Sequence, residues 1–438
     1  MTPAANRRIA LPAISAAFVG AALFLAAALY PRLTGTEVRV HWPPMHADWL
    51  PRIGWLSVLP IVVGFVIVFG GRRVSERLAW RPFLGVAFLA SWAWTMSLAL
   101  VDGSSGLSSV FERKREYLFD AVNVTSVHAA LTGFIDRIPI DSPDNWQTHV
   151  AGHPPGALLF FVLLDRLGIN DPFWVGFTVL TLGTTAVFGG AIAIKALAGE
   201  LAARRVTLWW VLAPAAIWMG VSGDAFFTAV SVWGLALLAL AATARRRPAM
   251  IGFGIGSGIL LGLCVYLSYG LVLLGIIAIA VLFLTRDWRP LPWAVGGALF
   301  VAASFTAAGF AWWEAFPVLR ERYDDGIATD RPYSYWVWAN IAAWTLTVGL
   351  ATWAAFPHAM QSLRRRDPRA VLAAAGLLCI VIATVSGMSK AEVERIWLPF
   401  TFWVLMLPAA LPARWQRPML ASQVVTALLI QHLLLTRW

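Results

Sequence analysis

Charge is what this chain has least of. Only 13% of its 438 residues are Asp, Glu, Lys or Arg, against about 25% in soluble domains. That excludes an ordinary soluble fold, which needs a mostly polar surface. Cysteine is nearly missing as well. Cys264 and Cys379 both lie in apolar runs, so no disulfide framework or cysteine metal site is available. No Walker loop, GxGxxG, HExxH or CxxC occurs, which removes the common nucleotide, dinucleotide, zinc-protease and dithiol chemistries. There is also no internal repeat, low-complexity linker or large polar domain.

What is present is hydrocarbon: 59% of residues are apolar and the mean hydropathy is +0.71. Apolar runs long enough to cross a bilayer core of about 30 Å recur along the chain, and continuous rather than alternating runs select helices. The expected fold is an all-α polytopic membrane protein of thirteen spans. Their approximate positions are 10–31, 54–71, 83–101, 173–197, 206–222, 224–243, 249–265, 267–284, 291–311, 337–356, 370–387, 396–411 and 418–435. A further apolar piece at 156–168 is too short to span and is read as an interfacial helix. The opening MTPAANRR and the apolar run after it are read as an uncleaved first helix.

The net charge of +11 does not point to nucleic acid, because the basic residues sit in short clusters between apolar runs, where they set topology. With the N-terminus cytoplasmic, the inner connections take Arg7, Arg8, Arg72, Arg73, Arg77, Arg81, Arg204, Arg205, Arg245 to Arg247, Arg286, Arg289, Arg364 to Arg366, Arg369, Arg414 and Arg417. Those inner connections contain only four acids: Glu76, Glu200, Asp287 and Asp367. The C-terminus then lies outside. The expected units are an N-terminal two-helix addition (1–80), a core with its outer loop at 102–172 (81–411), and a final helix (412–438).

That outer loop contains the longest mostly polar stretch, 111–156. It holds Glu112, Glu116, Asp120, Asp136, Asp141 and Asp144, with Asp102 just upstream, and three of the seven histidines: His128, His149 and His153. Glu116 and Asp120 are four apart, which puts both on one face of a short helix. A carboxylate there can act as a general base if it is partly desolvated; otherwise it pairs with Arg113, Lys114 or Arg115. GHPPG at 152–156 ends an extended segment at a helix start, with His153 just before it, so it is either a plain cap or an anion-facing edge. Asp224, in a tight outer turn, is either an N-cap or a functional acid held near hydrocarbon. Lys390 and Arg395 stand at an outer mouth. There Arg395 is either a phosphate fork or an anchor paired with Glu392 or Glu394. Tyr333 and Tyr335 suit an interfacial belt or a sugar-stacking wall. No cofactor is assigned; a divalent metal at His149, His153 and a nearby acid stays open.

These motifs together resemble the GT-C superfamily of polytopic glycosyltransferases. An acid-bearing segment (Glu116-Tyr117, Asp120) opens the long loop. His153-Pro154-Pro155-Gly156 closes it ahead of a non-spanning helix. Ser222-Gly223-Asp224 follows, and Glu394-Arg395 precedes an apolar span containing Pro399. The resemblance covers about residues 80–411; Arg115 precedes Glu116 where many relatives carry a second acid. It implies an inverting transfer of a sugar from a polyprenyl-phosphate donor to an extracytoplasmic glycan or lipid acceptor, at an outward-facing site over an apolar cavity. Glu116, or else Asp120, would be the general base. Arg395 would hold the donor phosphate with Lys390 in support, and His153 and Pro154 would shape the donor end. Asp224, Tyr333 and Tyr335 would line the substrate site. The Arg-, Trp- and Ala-rich composition points to a high-GC bacterium with mannan- or arabinan-type envelope polymers. The rival readings are a transporter or flippase for a lipid-linked or anionic substrate, which needs ionisable groups at mid-depth, and a non-catalytic envelope scaffold.

Overall fold

Helices account for nearly all the regular structure, as the continuous apolar runs require. The computed structural model describes residues 3–220 and 222–436, with side chains from residue 11 onward except that of residue 327. The Arg7 and Arg8 side chains of the expected inner cluster, and residue 221 of an expected span, lie outside the described residues. Eight helices are long and apolar enough to cross a membrane: Leu11–Thr34, Trp55–Arg77, Trp80–Asp102, Pro172–Ala198, Gly223–Ala242, Arg247–Leu267, Tyr333–Arg364 and Pro368–Val385.

The other five expected spans are helical but depart from a simple crossing. Helices Glu200–Val211 and Ala216–Met219 are separated by a break at Pro214. Tyr269–Thr285 and Leu398–Ala410 are short, and Leu291–Ala307 bends by 74° into Trp312–Asp324. Ala413–Leu433 carries Arg414, Gln416, Arg417, Gln423 and Gln431 along its length. Eight of the expected thirteen spans thus lie on helices that are long and apolar enough to cross outright, or nine if the bent pair counts as one. Apolarity located the helices but did not show where proline and polar side chains break or dilute them. The 156–168 piece forms the 12-residue helix Pro155–Arg166, too short to cross at 1.5 Å per residue.

A small sheet fixes the relative sidedness of the ends. Ala47–Trp49 pairs antiparallel with Leu434–Thr436. Leu50 N–H donates to Leu433 O at 2.9 Å and Arg52 N–H to His432 O at 2.8 Å. Asp102, at the end of the third span, accepts from Arg52 and from Gln431. The loop after the first helix, the end of the third and the C-terminal strand thus share one face. Helix Pro3–Thr34, 32 residues long, begins on the other. On the opposite face, Arg204 ties two connections together by donating to the carbonyls of Ser75 and Leu78.

The first two helices pack into the rest rather than standing apart. Tyr335 Oη donates to Ala27 O at 2.9 Å and stacks on Tyr30. The long helix Tyr333–Arg364 is broken at Gly349, whose φ of 70° suits glycine. A Cβ there would lie 1.8 Å from Gln423 Oε1. Gln423 instead donates to Val348 O at 2.7 Å, satisfying the backbone at the break.

Candidate active site

Glu116 ends a short coil and takes the N-cap position of helix Tyr117–Ala121. The helix thus begins one residue too late for Glu116 and Asp120 to share its face, and the two carboxylates diverge. Glu116, 3% exposed, lies 2.8 Å from His149 Nδ1 through its Oε1. His149 N–H donates to Arg115 O at 3.1 Å, which locks helix Thr148–Ala151 against the Glu116 coil. Asp120 turns away and accepts from Gln147 N–H at 2.9 Å. Burial raises its pKa above the ordinary carboxylate value, opposed by the Gln147 hydrogen bond and by Arg137 and Arg322. Arg322 also donates to Trp146 O, so Asp120 belongs to the scaffold of the 137–147 segment.

Arg395, in the single turn Val393–Ile396, is the hub. Its Nη1 donates to Asp224 Oδ2 at 2.6 Å and its Nη2 to Glu392 Oε2 at 2.8 Å. Nη2 also lies 3.3 Å from His149 Nε2. Arginine only donates, so Nε2 accepts and the His149 proton sits on Nδ1, facing Glu116. Four segments distant in sequence thereby form one buried chain: Glu116, His149, Arg395, then Asp224 and Glu392. Asp224 lies in the first turn of Gly223–Ala242 but is not its cap, which is Ser222.

Sequence reasoning left several of these residues without a role. Glu392 was seen only as an ion-pair partner, and His46 and Arg331 were not singled out. Glu392 Oε1 faces His46 Nδ1 at 3.5 Å and Arg331 Nη2 at 3.8 Å. Hydrogen bonding from His46 and the charges of Arg395 and Arg331 overcome burial and hold the Glu392 carboxyl well below its ordinary range. Glu394 is the opposite case. Both its oxygens are buried without a hydrogen-bond partner, and burial pushes its pKa up to about 7. Tyr117 stacks on Phe161 at 4.9 Å and lies against His149 and His153. Its phenol is held well above the ordinary range by burial, then by Asp224 and Glu116.

His153 donates from Nδ1 to Leu267 O at 2.9 Å and packs on Phe227. Burial lowers its pKa to about 4, so the ring is neutral near pH 7 and offers no charge to a phosphate. Pro154 is extended and precedes helix Pro155–Arg166. That helix start is closely packed, since a Cβ on Gly156 would lie 2.5 Å from Tyr266 O. Lys390 reaches Ala328 O at 2.8 Å rather than Arg395. Tyr333 Oη donates to Val385 O, and Tyr335 is committed to Ala27; neither hydroxyl is directed to the Glu116–Arg395 chain. His149 and His153 serve different partners, and among the described residues no group of three His, Cys, Asp or Glu side chains is placed to hold a metal ion.

A small apolar cavity of about 30 Å³ lies close by, with no lining residue from 111–168, so it is distinct from the cavity expected beneath that loop. It is lined by Thr95, Thr184, Trp210, Met219, Thr228 and Phe402, one helical turn from Asp224, and has room for about two waters.

No family model and no curated protein matches the chain. Solved structures similar to it include two of one protein. ArnT from Cupriavidus metallidurans in the apo state is 16% identical over 68% of this chain and 54% of that one, with a TM-score of 0.45. ArnT from Cupriavidus metallidurans bound to undecaprenyl phosphate is 15% identical over 79% and 62%, with a TM-score of 0.48. The match thus spans between half and two thirds of those chains.

Proposed function

We propose that this chain is a membrane glycosyltransferase that moves a sugar from a polyprenyl-phosphate donor to an extracytoplasmic glycan or lipid acceptor, with inversion. One observation carries the reading. Every strongly buried charged side chain among the described residues (Glu116, Asp120, Asp224, Arg331, Glu394 and Arg395) comes from the segments at the loop face, and none lies in the middle of a span. Buried charge is costly and persists where it is paired or put to use. A transporter would instead need such groups at mid-depth.

In the proposed reaction an acceptor hydroxyl gives its proton to Glu116, held in place by His149, and forms the new C–O bond at the anomeric carbon. The anomeric bond to the phosphate oxygen breaks with its electron pair going to the phosphate. Arg395 offsets the charge that grows there. The arginine-rich connections would face the cytoplasm, putting the site and the C-terminus outside.

The test uses the full chain in nanodiscs with hexosyl and pentosyl polyprenyl phosphates and a panel of glycan and lipid acceptors. The readouts are polyprenyl phosphate release and product anomeric configuration. Glu116→Gln should lower turnover about 10²- to 10⁴-fold, with an inverted product. Full turnover in that variant, or a retained configuration, would sink the assignment.

A further inference from the structure

Glu392 is where three basic side chains from three separate segments converge. Arg395 donates to its Oε2 at 2.8 Å, while His46 and Arg331 face its Oε1 at 3.5 and 3.8 Å. Arg331 is 6% exposed and its Nε has no hydrogen-bond partner. The backbone here is bent to deliver the carboxylate: Ala391 and Glu392 have φ of 72° and 62°. Left-handed non-glycine residues are strained and tend to mark functional sites. Asn340 holds the bend, accepting from Ala391 N–H at 3.2 Å and donating to Ser389 O at 2.7 Å.

The charge count shows why this matters. Three carboxylates (Glu116, Asp224, Glu392) stand against two guanidinium groups (Arg331, Arg395) in the cluster, so the carboxylates disfavour another anion. Without the Glu392 carboxylate, two guanidinium groups and an imidazole would surround the vacated position. That donor set suits the oxygens of a phosphate.

We infer that Glu392 is an internal stand-in for a phosphate: Arg395, Arg331 and His46 form an anion subsite, and an incoming phosphate displaces the Glu392 carboxylate from it. Only the identity of the carrier, a polyprenyl monophosphate, rests on the glycosyltransferase reading. Displacement relieves the strain at Ala391 and Glu392 and frees the 386–392 loop, which opens a site that is otherwise buried.

Equilibrium binding to the full chain in zwitterionic nanodiscs tests this with three probes: a polyprenyl monophosphate, the corresponding alcohol and inorganic phosphate. Glu392→Gln should bind the polyprenyl phosphate about tenfold more tightly than the parent chain, a difference of about 1.4 kcal/mol. Glu392→Asp, with its charge withdrawn by one methylene, should be intermediate, and the alcohol should show no change. The gain should vanish in Glu392→Gln/Arg331→Ala and shrink in Glu392→Gln/His46→Ala. Unchanged or weaker binding in both single variants, each shown by thermal melting to be folded, overturns the proposal. A gain confined to inorganic phosphate overturns the lipid-linked source. Binding is read without turnover, so the two readings fail separately. Tighter binding with no sugar transfer would remove the glycosyltransferase and keep the subsite; transfer with no tighter binding would do the reverse.

Discussion

The two faces of the molecule handle charge in opposite ways. On the arginine-rich face the ion pairs are mostly local: Arg72 with Glu76, Glu200 with Arg204, Asp287 with Arg289, and Asp367 with Arg369. They range from exposed (Arg72 with Glu76) to half-buried (Asp367 with Arg369). Only Arg204 reaches further, to the Ser75 and Leu78 carbonyls. On the loop face some pairs are exposed too, such as Arg39 with Glu37 and Asp330, but those centred on Arg395 are buried and mostly distant in sequence: Arg395 joins Asp224 across 171 residues and His149 across 246. Exposed local pairs are screened and contribute at most about 1 kcal/mol. Buried pairs carry desolvation costs that leave each partner dependent on the other. Charge on the first face lies in short connections between helices, whereas charge on the second is gathered into one buried chain.

The sharpest way to break this contrast is Arg395→Met. Removing the hub leaves Asp224 and Glu392 buried without their main partner, a loss of about 3–5 kcal/mol for a broken buried pair. Thermal unfolding in detergent should show a large drop that added salt does not alter. Arg395→Met combined with Asp224→Asn and Glu392→Gln should recover much of the loss, because the orphaned charges go too. If the single variant melted like the parent chain, the cluster would not be the interdependent unit described above.

Within the loop face, the two carboxylates of the opening segment sharpen the comparison further. Asp120→Asn keeps an oxygen for Gln147 N–H and touches none of Glu116, His149 or Arg395. It should cost about 1 kcal/mol, as for one ordinary hydrogen bond, and leave turnover within a few-fold. Glu116→Gln should show the converse, with small stability changes and a large loss of transfer. Equal turnover losses in the two would return Asp120 to the reacting group.

Glu394 supplies the pH dependence. Its pKa in the folded chain, about 7, is raised above the ordinary 4.5, so its contribution is fully present below pH 4.5. It is lost as pH rises towards 7, because the unfolded chain releases the proton first. Melting temperature should therefore fall across that window, and Glu394→Gln should flatten the fall. A profile unchanged by Glu394→Gln would mean that another group carries the proton.

Much of this was legible in the sequence, and the illegible part has a common cause. Apolar runs favour helix, so every expected span overlaps a helix among the described residues. They do not report how Pro214 breaks one segment or how 291–324 bends. Loop chemistry marked Glu116, Asp224 and Arg395 as residues of interest, but pairing is set by tertiary geometry that spacing does not contain. Asp120 and Glu116 looked equivalent at four residues apart and separated because the helix starts at Tyr117. His46 sits in a segment assigned to an N-terminal addition, and only the packing of that addition brings it to Glu392. Arg395 was legible both as a phosphate fork and as an anchor paired with Glu392. The structure shows that pairing, and the stand-in proposal makes the two readings successive states of one residue.

The smallest effect lies on the other face. Arg72 and Glu76 are an i,i+4 pair with both side chains more than half exposed. The order is the weaker one for a helix, with the acid towards the C-terminal end, where the dipole disfavours it. The pair lies in the last turns of helix Val58–Arg77. Glu76→Gln should therefore shift stability by no more than about 0.5 kcal/mol, in either direction, and that small shift should shrink as salt is raised to several hundred millimolar. Arg72→Gln should be equally quiet in melting; on the proposed orientation it also removes one of the charges that would hold this connection inside, and cysteine-labelling of residue 76 from either side of the membrane reads that directly. A large, salt-insensitive loss from Glu76→Gln would mean that the two faces do not differ in kind, and the case for reading buried charge as a site would weaken with it.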